Sequence, residues 1–157
     1  MKAARRALLS LLALLVFMLA GAVVFSRAPD RSVAELSARW APPPSQFIAL
    51  QGMQVHVRDQ GPRDDAEPIV LIHGTSASLH TWEGWVAALK GTRRVISMDL
   101  PAFGLTGPAP DGDYSIERYV AFVLEVMDRL GCAGQCWVAI RWAAKSPGMW
   151  RWPPRRA

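Results

Sequence analysis

Ile69-Val70-Leu71-Ile72-His73-Gly74-Thr75-Ser76-Ala77-Ser78 decides how the chain folds. Its first four residues are uninterrupted apolar β-formers, the pattern of a strand covered on both faces, as in a parallel sheet flanked by helices. The run stops at His73-Gly74. Beyond it, Trp82, Trp85, Val86 and Leu89 recur at helical spacing until Gly91, and Val95 to Leu100 forms a second apolar run. Strand, helix and strand in that order make a β-α-β unit, so the two strands are expected to lie parallel.

Before this unit, Phe47 to Leu50, a Gln51-Gly52 turn and Met53 to Arg58 read as a hairpin. Met53, Val55 and Val57 alternate there with Gln54, His56 and Arg58. His56 therefore falls on the polar face, where no catalytic duty is expected of it. Gly61 to Pro68 is a polar loop. After the unit, Pro101 to Asp113 is a Gly- and Pro-rich loop. Ser115 then caps a helix whose Ile116, Tyr119, Val120, Val123, Met127 and Leu130 form one apolar face ending at Gly131. A third parallel strand should follow.

Toward the N-terminus, Ala7 to Phe25 is nineteen residues broken only by Ser10. At 1.5 Å per residue that length crosses a hydrocarbon core of about 30 Å, and a transmembrane helix is expected. Lys2, Arg5 and Arg6 precede it. By the positive-inside rule they hold the N-terminus in the cytoplasm and place the remainder on the periplasmic or outer side of a single-pass membrane protein. A cleaved signal peptide, with Ala20-Gly21-Ala22 as the cleavage site, is the alternative. Ser32-Val33-Ala34-Glu35 fits a capping box opening a short helix that Pro42-Pro43-Pro44 must end. The expected organisation is an anchor over 1–28, a linker over 29–45, a folded region over 46–131 and a distinct tail over 132–157.

Composition sets the tail apart. The chain carries 18 basic and 13 acidic residues for a net charge of +5. Five of the basic residues (Arg141, Lys145, Arg151, Arg155, Arg156) and none of the acids fall in residues 132–157, so the body is neutral. A nucleic-acid partner is not implied, because the excess charge is confined to the end of the chain. Both cysteines, Cys132 and Cys136, and four of the seven tryptophans lie in the same segment. Without a second cysteine or histidine pair beside them, the cysteines suggest neither a disulfide framework nor a metal site. No phosphate loop or dinucleotide fingerprint is present, and no cofactor or metal is implied.

The His73–Ser78 loop after one strand, with Asp99-Leu100-Pro101-Ala102-Phe103-Gly104-Leu105-Thr106 after the next, resembles the α/β-hydrolase superfamily. The resemblance implies the N-terminal half of that α/β fold, since 157 residues are short for a complete hydrolase of roughly 250. It also implies roles for individual residues. Thr75, just after the His-Gly pair, offers a backbone N–H to an oxyanion. Gly74 lets the backbone approach the substrate, and His73 braces the loop without transferring protons. Asp99 is the position of a structural acid that, with Pro101 and Gly104, orders its own loop. Ala102 stands where the family usually has glycine, a mild departure. Ser76 and Ser78 have no base beside them and are loop residues.

The family next has a strand leading into Gly-x-Ser-x-Gly, then an acid and a histidine. In this chain Cys132 to Lys145 shows neither a buried strand pattern nor that elbow, and no catalytic residue can be named. Codon structure suggests a reason. Read from the third base of each codon, Trp137-Val138 and Trp142-Ala143 both give glycine whatever codons the partners use. Permitted codons of the residues between them give Asn, Ser and Leu, so the shifted frame reads L-G-G-N-S-L-G-G. A frameshift near Gly134 or Gln135 is expected. The parent activity implied is serine-type hydrolysis of an ester or related acyl compound, a small-molecule substrate, with this chain catalytically inactive. The alternative is a non-enzymatic, membrane-anchored interaction module.

Overall fold

The computed structural model describes residues 2–29, 31–132, 136–140 and 148–152, the last segment as backbone. The chain divides after Ser32 into two compact units. The first is helix α1, Lys2–Phe25, which starts five residues before the apolar run and is long and apolar enough to cross a membrane. At 24 residues it measures about 36 Å.

The second unit opens with α2 (Val33–Trp40), which ends ahead of the proline run as expected. β1 (Ser45–Leu50) and β2 (Met53–Gln60) form the predicted hairpin, with Gln51 and Gly52 both at positive φ in its turn. β3 (Ile69–Ile72) leads through a 3-10 turn (Leu79–Trp82) into α3 (Glu83–Leu89) and then β4 (Val95–Met98). α4 (Ile116–Arg129) starts where Ser115 accepts a hydrogen bond from the Arg118 N–H at 3.2 Å. β5 (Cys136–Ile140) and β6 (Gly148–Trp152) complete the sheet.

The strand order is β1-β2-β4-β3-β5-β6. β4, β3 and β5 are parallel, whereas β1, β2 and β6 join antiparallel. The expected parallel units are present within a sheet that is mixed. Strand alternation builds two cores. Val70, Ile72, Ile96, Met98 and Val138 pack with Phe122 and Val126 of α4, and Ile69, Leu71, Val95 and Ala139 pack with Trp82 and Val86. The result is three layers, with α3 and α4 on opposite faces.

Two expectations need correction, and the structure adds two details to the others. Cys132 to Lys145 does contain a buried strand: β5 pairs parallel with β3 from Ile69↔Trp137 to Ile72↔Ile140. Its short Cys-Trp-Val-Ala-Ile run lacks the continuous branched-aliphatic signature of β3, and burial between two neighbouring strands overrides that weak local signal. His56 lies on the polar side of β2 as alternation requires, yet it is fully buried, because residues of the 3-10 turn and the Asp99 loop cover that side. Trp85 is 45% exposed although it falls at helical spacing with buried Trp82 and Val86. On α4, Phe122 and Val126 join Met127 of the expected face in the core, while Ile116 of that face stands 65% exposed.

One buried ion pair ties the layers together. Arg94 grips the Asp59 carboxylate with two hydrogen bonds, of 3.0 and 2.8 Å, and also donates to the Leu130 carbonyl at the end of α4. Arg63 reaches the same carboxylate from the surface. Removing one partner leaves the other charge buried without compensation. Asp59→Ala is therefore expected to lower unfolding free energy by about 3–5 kcal/mol, measured by urea titration in detergent.

Candidate functional site

Parallel register brings the two motif loops side by side. Ile72 pairs with Met98, so His73 and Asp99 leave the sheet at the same edge, and β5 ends at that level because Ile72 also pairs with Ile140. Strand order reverses between β3 and β5, which puts a crevice at the carboxyl ends of these strands. The shifted-frame elbow, read between Trp137 and Ala143, overlaps β5 as far as Ile140, and the rest of it lies outside the described residues.

His73 is buried, and both ring nitrogens are engaged. Nδ1 lies 2.8 Å from the Gly74 carbonyl, and Nε2 accepts the Leu100 N–H at 3.0 Å. With Nε2 accepting, Nδ1 is left to donate to the carbonyl, and the ring joins the loop after β3 to the loop after β4. Phe103 contacts the ring edge-on. Thr75 is exposed, and the left-handed residue of this loop is Ser76 (φ 56). Gly74 lines the cavity described below.

Asp99 is the most connected side chain of the site. One carboxylate oxygen accepts the Leu79 N–H at 2.7 Å. The other accepts the Leu105 N–H at 2.8 Å and faces His56 Nδ1 at 2.8 Å. Burial alone pushes the carboxyl pKa up, but the hydrogen bonds from His56, Leu105 and Leu79 outweigh it and hold the group below its ordinary value. Gly104 (φ +54) sits so close that a Cβ there meets Asp99 Oδ2 at 2.1 Å. Pro101 is buried, and Ala102 adopts φ 66. The departure at Ala102 is thus more than cosmetic, since a Cβ in the left-handed region costs about 1–2 kcal/mol. His56 is the member of this arrangement that strand alternation concealed, and a histidine alternating with valines carries no local mark of burial.

Between these loops and α4 lies a cavity of about 440 Å³. Ile72 to Thr75 form one wall, Leu100 and Phe103 a second, Ile116, Tyr119, Val120, Val123 and Met127 a third, and Val138 and Ile140 the floor. The apolar stripe of α4 read from the sequence is this wall. Among the described residues, none that lines it is Asp, Glu, Lys or Arg, so the walls they form favour neutral, apolar matter. Cys132 and Cys136 are free and buried, and burial, with Cys132 nearby, pushes the Cys136 thiol up to about 11. Among the described residues no cluster able to hold a metal ion occurs.

Residues 67–139 match the family described as alpha/beta hydrolase fold. Over 80 residues the chain is 38% identical to a haloalkane dehalogenase of Psychrobacter cryohalolentis, covering 50% of this chain and 26% of that protein. A 2-hydroxy-6-oxo-2,4-heptadienoate hydrolase of Pseudomonas putida is 30% identical over 88 residues, 54% of this chain and 31% of the other. The chain thus spans about a quarter to a third of the length of these relatives. Among solved structures, the Cif epoxide hydrolase of Acinetobacter nosocomialis superposes with a TM-score of 0.60 at 23% identity, over 73% of this chain and 39% of that one. The enol-lactonase of Burkholderia xenovorans superposes at 0.52 with 33% identity, over 62% and 36%.

Two substitutions test the Asp99 loop in opposite directions. Gly104→Ala drives a methyl group into the buried carboxylate and is expected to cost at least about 3 kcal/mol, whereas Ala102→Gly relieves the left-handed alanine and gains about 1 kcal/mol. Thermal unfolding reads both. Because the folded pKa of Asp99 is depressed, its stabilising contribution is complete above about pH 4 and is lost as pH falls through the lower folded value. Acid titration of wild type should therefore show stability declining below that point, and Asp99→Asn should flatten the decline.

Proposed function

Since the chain belongs, through residues 67–139, to the α/β-hydrolase superfamily, we propose that its cavity is the substrate-binding half of a serine-type hydrolase site acting on neutral, apolar esters or related acyl compounds. The observation that carries this reading is the uncharged cavity at the carboxyl ends of β3 and β5, with the Gly74-Thr75 backbone on its wall. A substrate carbonyl seated there has the Thr75 N–H as a donor for the negative charge that develops on attack. The nucleophile belongs directly after β5, where the shifted frame supplies Asn-Ser-Leu-Gly-Gly. The apolar walls take up the acyl or alkyl body, and among the described residues no cation lines them to meet a carboxylate-bearing substrate.

The reading divides the work between two frames. In the frame given, the position after Ile140 is Arg141-Trp142, so this chain binds without turning over through this site. In the shifted frame the elbow serine is acylated and then released by water, with a histidine from farther along as base. Helix α1 anchors the protein as a single pass, with Lys2, Arg5 and Arg6 on the cytoplasmic side and the hydrolase unit outside.

Resequencing the gene across the codons for Leu130 to Ala144 and expressing both frames tests the reading. The shifted-frame product should hydrolyse p-nitrophenyl butyrate, and Thr75→Pro, which deletes the N–H, should lower kcat by about 10²-fold or more with KM little changed. An unchanged kcat removes Thr75 from the mechanism, and an inactive shifted-frame product removes the hydrolase reading.

A further inference from the structure

Asp99 and His56 continue into a third group that the hydrolase reading does not use. His56 Nε2 lies 2.9 Å from the Ser45 hydroxyl, and Arg58 Nε donates to the same oxygen at 2.9 Å. A serine hydroxyl has one proton. With its oxygen accepting from a guanidinium, the proton is free to point at His56 Nε2, whose other nitrogen donates to the Asp99 carboxylate. Carboxylate, imidazole and hydroxyl are thus in line, with the base oriented by the acid and the hydroxyl directed at the base. His56 and Asp99 are fully buried, whereas Ser45 is partly exposed. Phe47 stacks on the imidazole, with ring centroids 5.2 Å apart. A second cavity, of about 220 Å³, is lined by Pro44, Arg58, Leu79 and Glu83, and Arg58 is the residue that donates to the hydroxyl.

We propose that Ser45 is an activated nucleophile, with His56 as its base and Asp99 as the group that orients His56, and that it takes up acyl or phosphonyl groups from electrophiles bearing good leaving groups. The site is separate from the 440 Å³ cavity and needs no residue beyond Asp99. Ser45 Oγ attacks the electrophilic carbon or phosphorus while its proton passes to His56 Nε2. The bond to the leaving group, nitrophenolate or fluoride, breaks with its electron pair, and the proton is then given up to solvent. The imidazolium formed on the way is paired with the ionised Asp99, and the Arg58 guanidinium stabilises negative charge on Oγ as its proton leaves. Acyl-Ser45 is returned to the free hydroxyl by a water molecule that His56 deprotonates, whereas a phosphonyl adduct stays and can be located.

The full chain in detergent micelles is treated with an alkyl fluorophosphonate, digested with trypsin and examined by mass spectrometry. Trp40 to Arg58 is one tryptic peptide, and Ser45 is its only serine. The expected result is an adduct on Ser45 formed about 10²-fold faster in the folded chain than in urea, as a positioned general base provides. The adduct is lost in Ser45→Ala, and in His56→Gln its rate falls to that of the unfolded chain. Should His56→Gln fail to fold, the comparison of folded and urea-treated wild type still decides. No adduct, an equal rate in urea, or labelling that survives Ser45→Ala overturns the proposal. Labelling of an elbow serine in the shifted-frame product falls on a different peptide, so this site and the hydrolase site fail or stand independently.

Discussion

The arrangement of the loops at the carboxyl ends of the sheet rests on the buried carboxylate of Asp99. A carboxylate without access to water must find donors inside the protein, and this one takes them from three separate elements: the Leu79 N–H after the β3 loop, the Leu105 N–H of its own loop and the His56 ring of β2. Each bond fixes the position of the backbone that offers it. The loop after β3, the loop after β4 and the N-terminal hairpin are thereby indexed to one point. The backbone of this region repeats the connection, since the Thr106 hydroxyl accepts the His56 N–H and donates to the Asp99 carbonyl. Gly104 follows as a consequence, because only hydrogen fits against the carboxylate at that distance.

A second buried carboxylate, Asp59, works at the opposite end of the same strands and differs in kind. Its partners are guanidinium groups, and what it joins is the β2–β4 pairing and the end of α4. The two acids divide the polar cost of the interior: Asp59 neutralises charge within the scaffold, whereas Asp99 collects neutral dipoles at the functional edge. Between the edge loops and α4 the described surfaces are apolar and uncharged, and that contrast defines the cavity.

Much of the architecture was legible because the strongest signals were local. The four-residue apolar run of β3, the β-α-β spacing and the Ser115 cap each specify their element without help from distant residues. The paired motifs also located both loops correctly. β5 was expected after α4 as a third parallel strand, yet its own residues did not mark it, because the short run carries no strand pattern and becomes a strand by pairing with β3. His56 was missed because alternation tells which side of a strand a residue occupies, not what covers that side. The apolar face of α4 was read in the right place, and what it meets was left to the tertiary structure: Met127, Val123 and Leu130 pack on the core while its other members line the cavity. Ile116 and Val120 look toward the cavity, while Phe122 and Val126, off that stripe, enter the core.

By itself, then, the amino-acid sequence determined the long apolar helix, the hairpin, the first parallel unit and the two loops with their named residues, since periodicity and turn chemistry act over a few residues. Tertiary structure alone decided the environments: which polar side was buried, which apolar face met a cavity, and that Ser45, His56 and Asp99 fall into one hydrogen-bonded line. These depend on contacts between residues 11 and 43 positions apart. The distances are set by how strands and loops stack in three layers, and no short stretch of sequence encodes that stacking.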